Sequence, residues 1–187
     1  MLFNSEIFLF AFLPLTLLVF YVLGSVGRLK LAIAALVLAS LVYYAWWNPV
    51  YLPLILASTL VNYFIGMTIQ RRQVRGTPAK PVLIVGIVFN LGLLGYFKYA
   101  NFFVANFNIV ADNNIVLAPI VLPLAISFFT FQQIAYLADV YQGKAQEVDL
   151  LRYALFVTFF PQLIAGPIVH HNEIRSPSEL LGHGFCI

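Results

Sequence analysis

Apolar runs long enough to cross a membrane recur along the whole chain, and they constrain its fold more than any other feature. A hydrocarbon core of about 30 Å takes about 20 helical residues at 1.5 Å each. Because 62% of the 187 residues are hydrophobic and 9% are charged, a water-soluble domain would lack the polar side chains to cover its surface. The sequence therefore predicts an all-α, multi-pass transmembrane protein.

Hydropathy divides the chain into about six predicted spans, with no soluble domain between them. In order, the spans are Ile7 to Leu23, Leu31 to Trp47, Val50 to Ile69, Val82 to Phe97, Ile115 to Ala138, and Leu150 to Val169. We therefore expect a multi-pass helical protein of about six spans.

The basic residues are concentrated in alternate loops. Of the ten Lys and Arg residues, eight lie in or beside the first, third and fifth loops, and only Lys98 and Arg175 lie in the fourth loop and the tail. By the positive-inside rule the odd loops are cytoplasmic and the N-terminus is outside. The basic third loop, residues 71–80, either serves as this orientation signal and a solvated turn, or holds an anionic substrate or lipid headgroups.

Three polar residues of the fifth span form one stripe. Gln132, Tyr136 and Asp139 lie within an arc of about 60° on a helix. A lipid-facing Asp at mid-membrane costs about 2.5 to 3.5 kcal/mol, so the stripe should face other helices or a wet cavity. Two pairs of alternatives remain open. Asp139 either caps the span at the cytoplasmic interface or has a functional role, and Gln132 and Gln133 either form interhelical hydrogen bonds or contact a substrate.

The sixth span contains helix-breaking residues at membrane depth. Pro161 removes a backbone donor, and Pro167 forces Gly166 out of the helical region, so we predict a broken or re-entrant helix near 161–167. Backbone groups freed at membrane depth are tolerated only inside protein or beside a water-filled cavity. Gln162 and His170 would then place polar groups on the wall of such a cavity.

The histidines of this segment are candidates for proton transfer. Imidazole accepts a proton near neutral pH, so His170 or His171 could act as a general base. Adjacent helical residues point about 100° apart, however, so both cannot easily serve one reacting atom. We interpret them as part of the cavity wall. The remaining histidine, His183, gives no His-x3-His spacing, and Cys186 is the single cysteine, so no metal site is predicted.

Residues 122–174 carry specific motifs. They are "SFFTFQ", "Y-L-x-D-V-Y" and "FFPQLIAGPI", the last followed by His and Glu, and they are accompanied upstream by "MLFNSEIFLFAFLP" and "YYAWWNP". In these motifs the sequence resembles the membrane-bound O-acyltransferase family, in its bacterial branch for alginate O-acetylation. The resemblance covers nearly the whole chain, but only the N-terminal part of the family's fold.

The resemblance implies an enzyme that passes an acyl group through a membrane-embedded tunnel. The donor would be a cytoplasmic acyl thioester, acyl-CoA or acyl carrier protein, with no tightly bound cofactor. The acceptor would be an alginate-like exopolysaccharide or a partner on the outer face. The resemblance also implies that the chain lies in the lipid bilayer of the bacterial inner membrane. It would act with periplasmic acetyltransferase partners and would not bind nucleic acid.

The resemblance also divides the chain and its residues. Residues 1–181 would be the N-terminal part of the acyltransferase domain, and 182–187 an atypical tail that suggests truncation. The family's catalytic His would lie downstream of Ile187, so no catalytic residue is expected here and the chain alone should be inactive. The residues expected to line the tunnel are Gln132, Tyr136, Asp139, Gln162, Gly166, Pro167, His170, His171 and Glu173.

Two other classes of function compete with this one. Broken helices at mid-membrane also build the ion and solute sites of secondary transporters. Six spans and a lack of symmetry between two halves weigh against a transporter. A non-enzymatic membrane scaffold is the third interpretation, because the family's catalytic half is missing.

Overall fold

The computed structural model describes residues 6–111, 121–145, 149–159 and 161, and every regular element in these ranges is a helix. A π-helical turn and a 3-10 turn accompany six α-helices. Their bounds are Phe8–Phe12 (π), α1 Leu13–Ser25, α2 Leu29–Trp47, Pro49–Tyr51 (3-10), α3 Leu52–Val74, α4 Lys80–Ala111, α5 Ile126–Tyr141 and α6 Leu150–Thr158.

Four of these helical segments are long and apolar enough to cross a membrane. They are Phe8–Ser25, Leu29–Trp47, Pro49–Val74 and Lys80–Ile109. Large apolar side chains remain exposed along them, as in Phe10, Leu38 and Val88, which suits lipid rather than water as the surrounding solvent. The prediction of an all-α, multi-pass membrane protein is confirmed.

The first span contains a π-helical turn that a proline explains. Pro14 has no backbone N–H, so the carbonyl of Phe10 loses its usual helical donor. The chain widens just before this point, and the Leu13 N–H bonds to the Phe8 carbonyl, five residues back. Such a wide turn within an α-helix is the usual form of a π-bulge.

The fourth span is longer than hydropathy predicts. The predicted run ends at Phe97, where Lys98 lowers the hydropathy, but α4 continues to Ala111. Its 32 residues make a rod of about 48 Å. This length exceeds the hydrocarbon core by about 18 Å. The last turns of α4 therefore extend into the headgroup region or beyond it.

The fifth span begins later than predicted. Residues 121–125 are not helical, and α5 begins only at Ile126. Pro123 cannot donate to a helix and disfavours helical geometry in the residue before it. Ala125 then adopts the left-handed conformation, with φ of 55°. The prediction of one span from Ile115 to Ala138 is thus wrong over residues 121–125.

Glycine at position 125 is expected to stabilise the protein. A non-glycine residue in the left-handed region costs about 1 to 2 kcal/mol, which glycine does not incur. After the entropy that glycine adds to the unfolded state, we expect Ala125→Gly to raise the free energy of unfolding by about 0.5 kcal/mol. Ala135→Gly, inside α5, should instead lower it by about 1 kcal/mol. Thermal unfolding in detergent compares the stability of the two variants. Equal losses of stability would show that the left-handed conformation does not strain Ala125.

The sixth helix is short and ends before its prolines. The Asp149 carboxylate caps it by accepting a hydrogen bond from the Leu151 N–H at 3.3 Å, as N-cap residues do. The helix ends at Thr158, and Phe159 already leaves helical geometry. This end lies before the break predicted over 161–167, which stays a prediction because only residue 161 of that range is described. Residues 162–187 lie outside the described part of the chain.

Hydrogen bonds fix which loops share each end of the bundle. At one end, the Gln73 side chain donates to the Tyr141 carbonyl at 2.6 Å, so the loops after α3 and α5 lie together; we call this the basic end. At the other, the Tyr51 hydroxyl donates to the Val121 carbonyl at 2.6 Å. There the α2–α3 turn lies beside the segment that precedes α5. Odd and even loops therefore segregate to opposite ends, as antiparallel spans require.

Candidate functional site

The stripe predicted on α5 faces the protein interior. Gln132, Tyr136 and Asp139 are 1%, 2% and 6% exposed, respectively. Phe131, which points the other way, is half exposed. The spacing of the three polar residues thus predicted their common orientation correctly, because a helix that faces lipid on one side buries its polar groups on the other.

Tyr136 marks the point where α3, α5 and α6 meet. Its ring lies 4.1 Å from the ring of Tyr153 on α6, measured between centroids. On α3, Gly66 leaves the space that the Tyr136 ring occupies, because a Cβ there would lie 2.5 Å from the Tyr136 hydroxyl oxygen. The close approach of α3 and α5 therefore depends on a residue without a side chain.

Several buried polar atoms beside this junction have no partner among the described residues. Both the Nε2 and the Oε1 atoms of Gln132 lack a hydrogen bond, and so does the hydroxyl of Tyr153. The same holds for Thr130 Oγ1, Gln133 Nε2 and Asp139 Oδ2. An unsatisfied buried polar group costs about 1 to 3 kcal/mol. Partners for these atoms must therefore come from water, from a ligand or from protein outside the described ranges.

A network of side-chain amides joins α3, α4 and α5 behind the stripe. Asn62 Nδ2 donates to Gln133 Oε1 at 2.8 Å and to Asn90 Oδ1 at 3.2 Å. Asn90 Nδ2 donates back to Asn62 Oδ1 at 2.5 Å, and the Ser58 hydroxyl donates to Gln133 Oε1 at 2.7 Å. Such interhelical bonds hold membrane helices together where no hydrophobic force does.

The two neighbouring glutamines therefore differ in role. For Gln133 the structure shows interhelical hydrogen bonding, one of the two interpretations that the sequence left open. Gln132 forms none within the described part of the chain. Sequence reasoning missed Ser58 and Asn62, although two polar residues four positions apart in an apolar run could have indicated a helix-helix contact.

Asp139 lies near the basic end of α5. It belongs to the last turn of the helix, where its backbone carbonyl accepts a hydrogen bond from the Lys144 N–H at 2.9 Å. Its carboxylate is nevertheless almost fully buried. The burial places its side chain on the inner face of the bundle. Its role as a cap at the cytoplasmic interface stays a prediction.

The remaining predicted tunnel residues lie outside the described ranges. They are Gln162, Gly166, Pro167, His170, His171 and Glu173. The break predicted over 161–167 lies outside them too, except for residue 161 itself. Within the described ranges, no three His, Cys, Asp or Glu residues are grouped so that they could hold a metal ion. A role in lining a tunnel stays a prediction for all nine residues.

Comparison with known proteins gives several close relatives. The chain is 44% identical over 93% of its length to a peptidoglycan O-acetyltransferase of Helicobacter pylori. It is 42% identical over 93% of its length to the probable alginate O-acetylase AlgI of Pseudomonas aeruginosa, and 41% identical over the same share to that of Azotobacter vinelandii. These relatives bear out the resemblance that the motifs of residues 122–174 carry.

The similarity concerns only part of each relative. The chain spans 38% of the Helicobacter protein, 34% of the Pseudomonas aeruginosa protein and 35% of the Azotobacter protein. No family model matches the chain. No solved structure matches it either.

Proposed function

We propose that this chain, a homologue of part of the bacterial membrane-bound O-acyltransferases, forms the N-terminal part of an enzyme that O-acetylates a cell-envelope polysaccharide. The names of the relatives support acetyl transfer to alginate or to peptidoglycan. Because the chain is similarly identical to relatives of both kinds, its similarity does not select between the two polymers. The resemblance in the motifs of residues 122–174 favours an alginate-like exopolysaccharide as the acceptor.

The buried amide of Gln132 is the observation that carries this proposal. A carboxamide with an unused donor and an unused acceptor among the described residues can bind the carbonyl or hydroxyl groups of a substrate. Gln132, Tyr136 and Asp139 would form one wall of a passage for the acetyl group. The rest of the wall would come from Gln162, Gly166, Pro167, His170, His171 and Glu173.

The placement of charge supports an orientation for this passage. The basic end would face the cytoplasm of a bacterium, with the chain in its inner membrane and the N-terminus outside. An acyl thioester, acyl-CoA or acyl carrier protein, would deliver its acyl group at the basic end. Periplasmic acetyltransferase partners would receive it at the other end. The catalytic His would lie in a part of the complete enzyme outside this chain. The residues of this chain would shape the passage and bind the acyl group.

Replacing Gln132 by leucine in the complete enzyme tests the proposal. Leucine keeps most of the volume but removes both polar atoms, so we expect polysaccharide acetylation to fall about 100-fold. Stability should hold or rise, because two unsatisfied polar atoms leave the interior. Acetyl content of the polysaccharide and unfolding in detergent measure the two effects.

The matched control is Thr59→Val. Thr59 is also buried, and among the described residues its hydroxyl bonds only to the Ile55 carbonyl of its own helix, so this change should leave acetylation nearly as in the wild type. Unchanged acetylation in Gln132→Leu would refute the proposal that Gln132 lines a passage for the acetyl group. A marked loss of stability in that variant would instead assign the amide a structural role.

A further inference from the structure

A cluster of arginines lines an open cavity at the basic end, apart from the buried stripe. The cavity has a volume of about 600 Å³ and lies at the end of α3. Its walls carry three guanidinium groups and two hydroxyl groups. The lining residues are Thr68, Arg71, Arg72, Arg75, Thr77 and Pro78.

The wall of this cavity is held in place by the loop that follows α3. Gly76 adopts a left-handed conformation, with φ of 66°, and turns the chain back over the end of the helix. The Thr77 N–H then donates to the Arg72 carbonyl at 2.9 Å. In return, Arg72 Nη1 donates to the Pro78 carbonyl at 3.3 Å. The loop and Arg72 therefore form one hydrogen-bonded unit.

The charge of this cluster is not neutralised by neighbouring sequence. No Asp or Glu occurs between Glu6 and Asp112, and no lining residue of the cavity is acidic. The negative end of the α3 dipole offsets about half of one elementary charge. Three guanidinium groups around one cavity therefore leave a local excess of positive charge, which an anion would lower.

The depth of the cluster fits the phosphates of a membrane surface. About 20 helical residues span the hydrocarbon core, and α3 reaches Arg71 as its twentieth residue from Leu52. Arg71, Arg72 and Arg75 therefore lie where the core gives way to headgroups. An orientation signal needs only basic residues in a loop, and does not require that they surround a common cavity.

We propose that this cavity is a binding site for a phosphate group. Planar guanidinium groups form paired hydrogen bonds with phosphate oxygens. The phosphate can come from an anionic lipid headgroup or from a soluble phosphate ester. The proposal rests on the cavity and its positive charge, so it does not depend on the proposed acetyl transfer.

Calorimetric titration of the detergent-purified protein tests the site. The probes are short-chain phosphatidylglycerol, short-chain phosphatidylcholine and inorganic pyrophosphate. We expect wild-type protein to bind phosphatidylglycerol or pyrophosphate more tightly than phosphatidylcholine. The triple variant Arg71→Gln, Arg72→Gln and Arg75→Gln should lose affinity at least about tenfold. Preference for phosphatidylglycerol identifies a lipid source, and preference for pyrophosphate a soluble one.

Two further variants separate a built site from general charge. Arg28→Gln, Lys30→Gln and Lys144→Gln together remove the same charge from other odd loops, and should keep affinity within about twofold. Lysine at all three arginine positions should weaken binding partially, because the paired donors are lost. Equal losses in both glutamine triples, full affinity in the lysine triple, or no binding of any phosphate probe would overturn the proposal. The three arginines are exposed, so helicity by circular dichroism should remain that of the wild type.

Discussion

Alanine at position 66 is expected to lower the free energy of unfolding by about 2 kcal/mol, the range of an overpacked core. Its Cβ would lie 2.5, 2.8 and 2.9 Å from three atoms of the Tyr136 side chain. The ring cannot easily retreat, because it is buried and lies against Tyr153. In the complete enzyme that we propose, the displaced stripe should also cut acetylation about tenfold. Denaturant unfolding in detergent and the acetyl content of the polysaccharide measure these effects.

Gly92 provides the matched control. It also lies within a helix, but a Cβ there would meet no atom within 4 Å, so Gly92→Ala should gain up to about 1 kcal/mol from helix propensity. Adding Tyr136→Phe to Gly66→Ala removes the nearest clashing atom and should restore part of the stability. If Gly66→Ala were as stable as Gly92→Ala, the tight junction between α3 and α5 would be disproved.

Leucine at position 62 is expected to lower the free energy of unfolding by about 3 kcal/mol. Asn62 takes part in three interhelical hydrogen bonds, two with Asn90 and one with Gln133. Hydrogen bonds between membrane helices contribute on average about 0.6 kcal/mol each, and up to about 1.7. The side chain of Asn90 would in addition lose its interhelical partner in a buried site. Leucine has the same branched arrangement of side-chain heavy atoms as asparagine, so the loss reports mainly on the network.

Replacing both asparagines separates these contributions. The double variant Asn62→Leu and Asn90→Leu removes the pair together, so its loss should be smaller than the sum of the two single losses. Thr68→Val is the control, because the exposed Thr68 hydroxyl bonds only within its own helix, and should change stability by less than about 0.5 kcal/mol. Strict additivity of the two asparagine variants would contradict the direct pairing.

The sequence alone predicted the properties that depend on which side chains lipid can accommodate. Long apolar runs gave the first four helices, because the bilayer admits few alternatives to a helix. The cost of placing polar groups in lipid likewise predicted that Gln132 and Tyr136 face inward. Hydropathy failed at the ends of elements. α4 continues past Lys98, since a charged residue near a membrane interface does not end a helix, and α5 starts late because of local backbone geometry at Pro123.

The partners of the polar residues could not be predicted in the same way. Asn90 clearly needs a hydrogen-bond partner at mid-membrane, but its spacing fixes only a direction on its own helix. Which residue meets it depends on the rotation and depth of the neighbouring helices, and these are set by packing at sites such as Gly66. The identity of Asn62 as the partner therefore appeared only with the fold.

The pairing of Asn62 with Asn90 has a consequence for how the protein enters the bilayer. The two residues lie on consecutive helices joined by a turn of five residues, between Val74 and Lys80. They can satisfy each other as soon as this hairpin enters the bilayer, before α5 joins it. An early helical hairpin thus shields its own amides from lipid, and presents to the later α5 preformed hydrogen-bond donors, the side chains of Ser58 and Asn62.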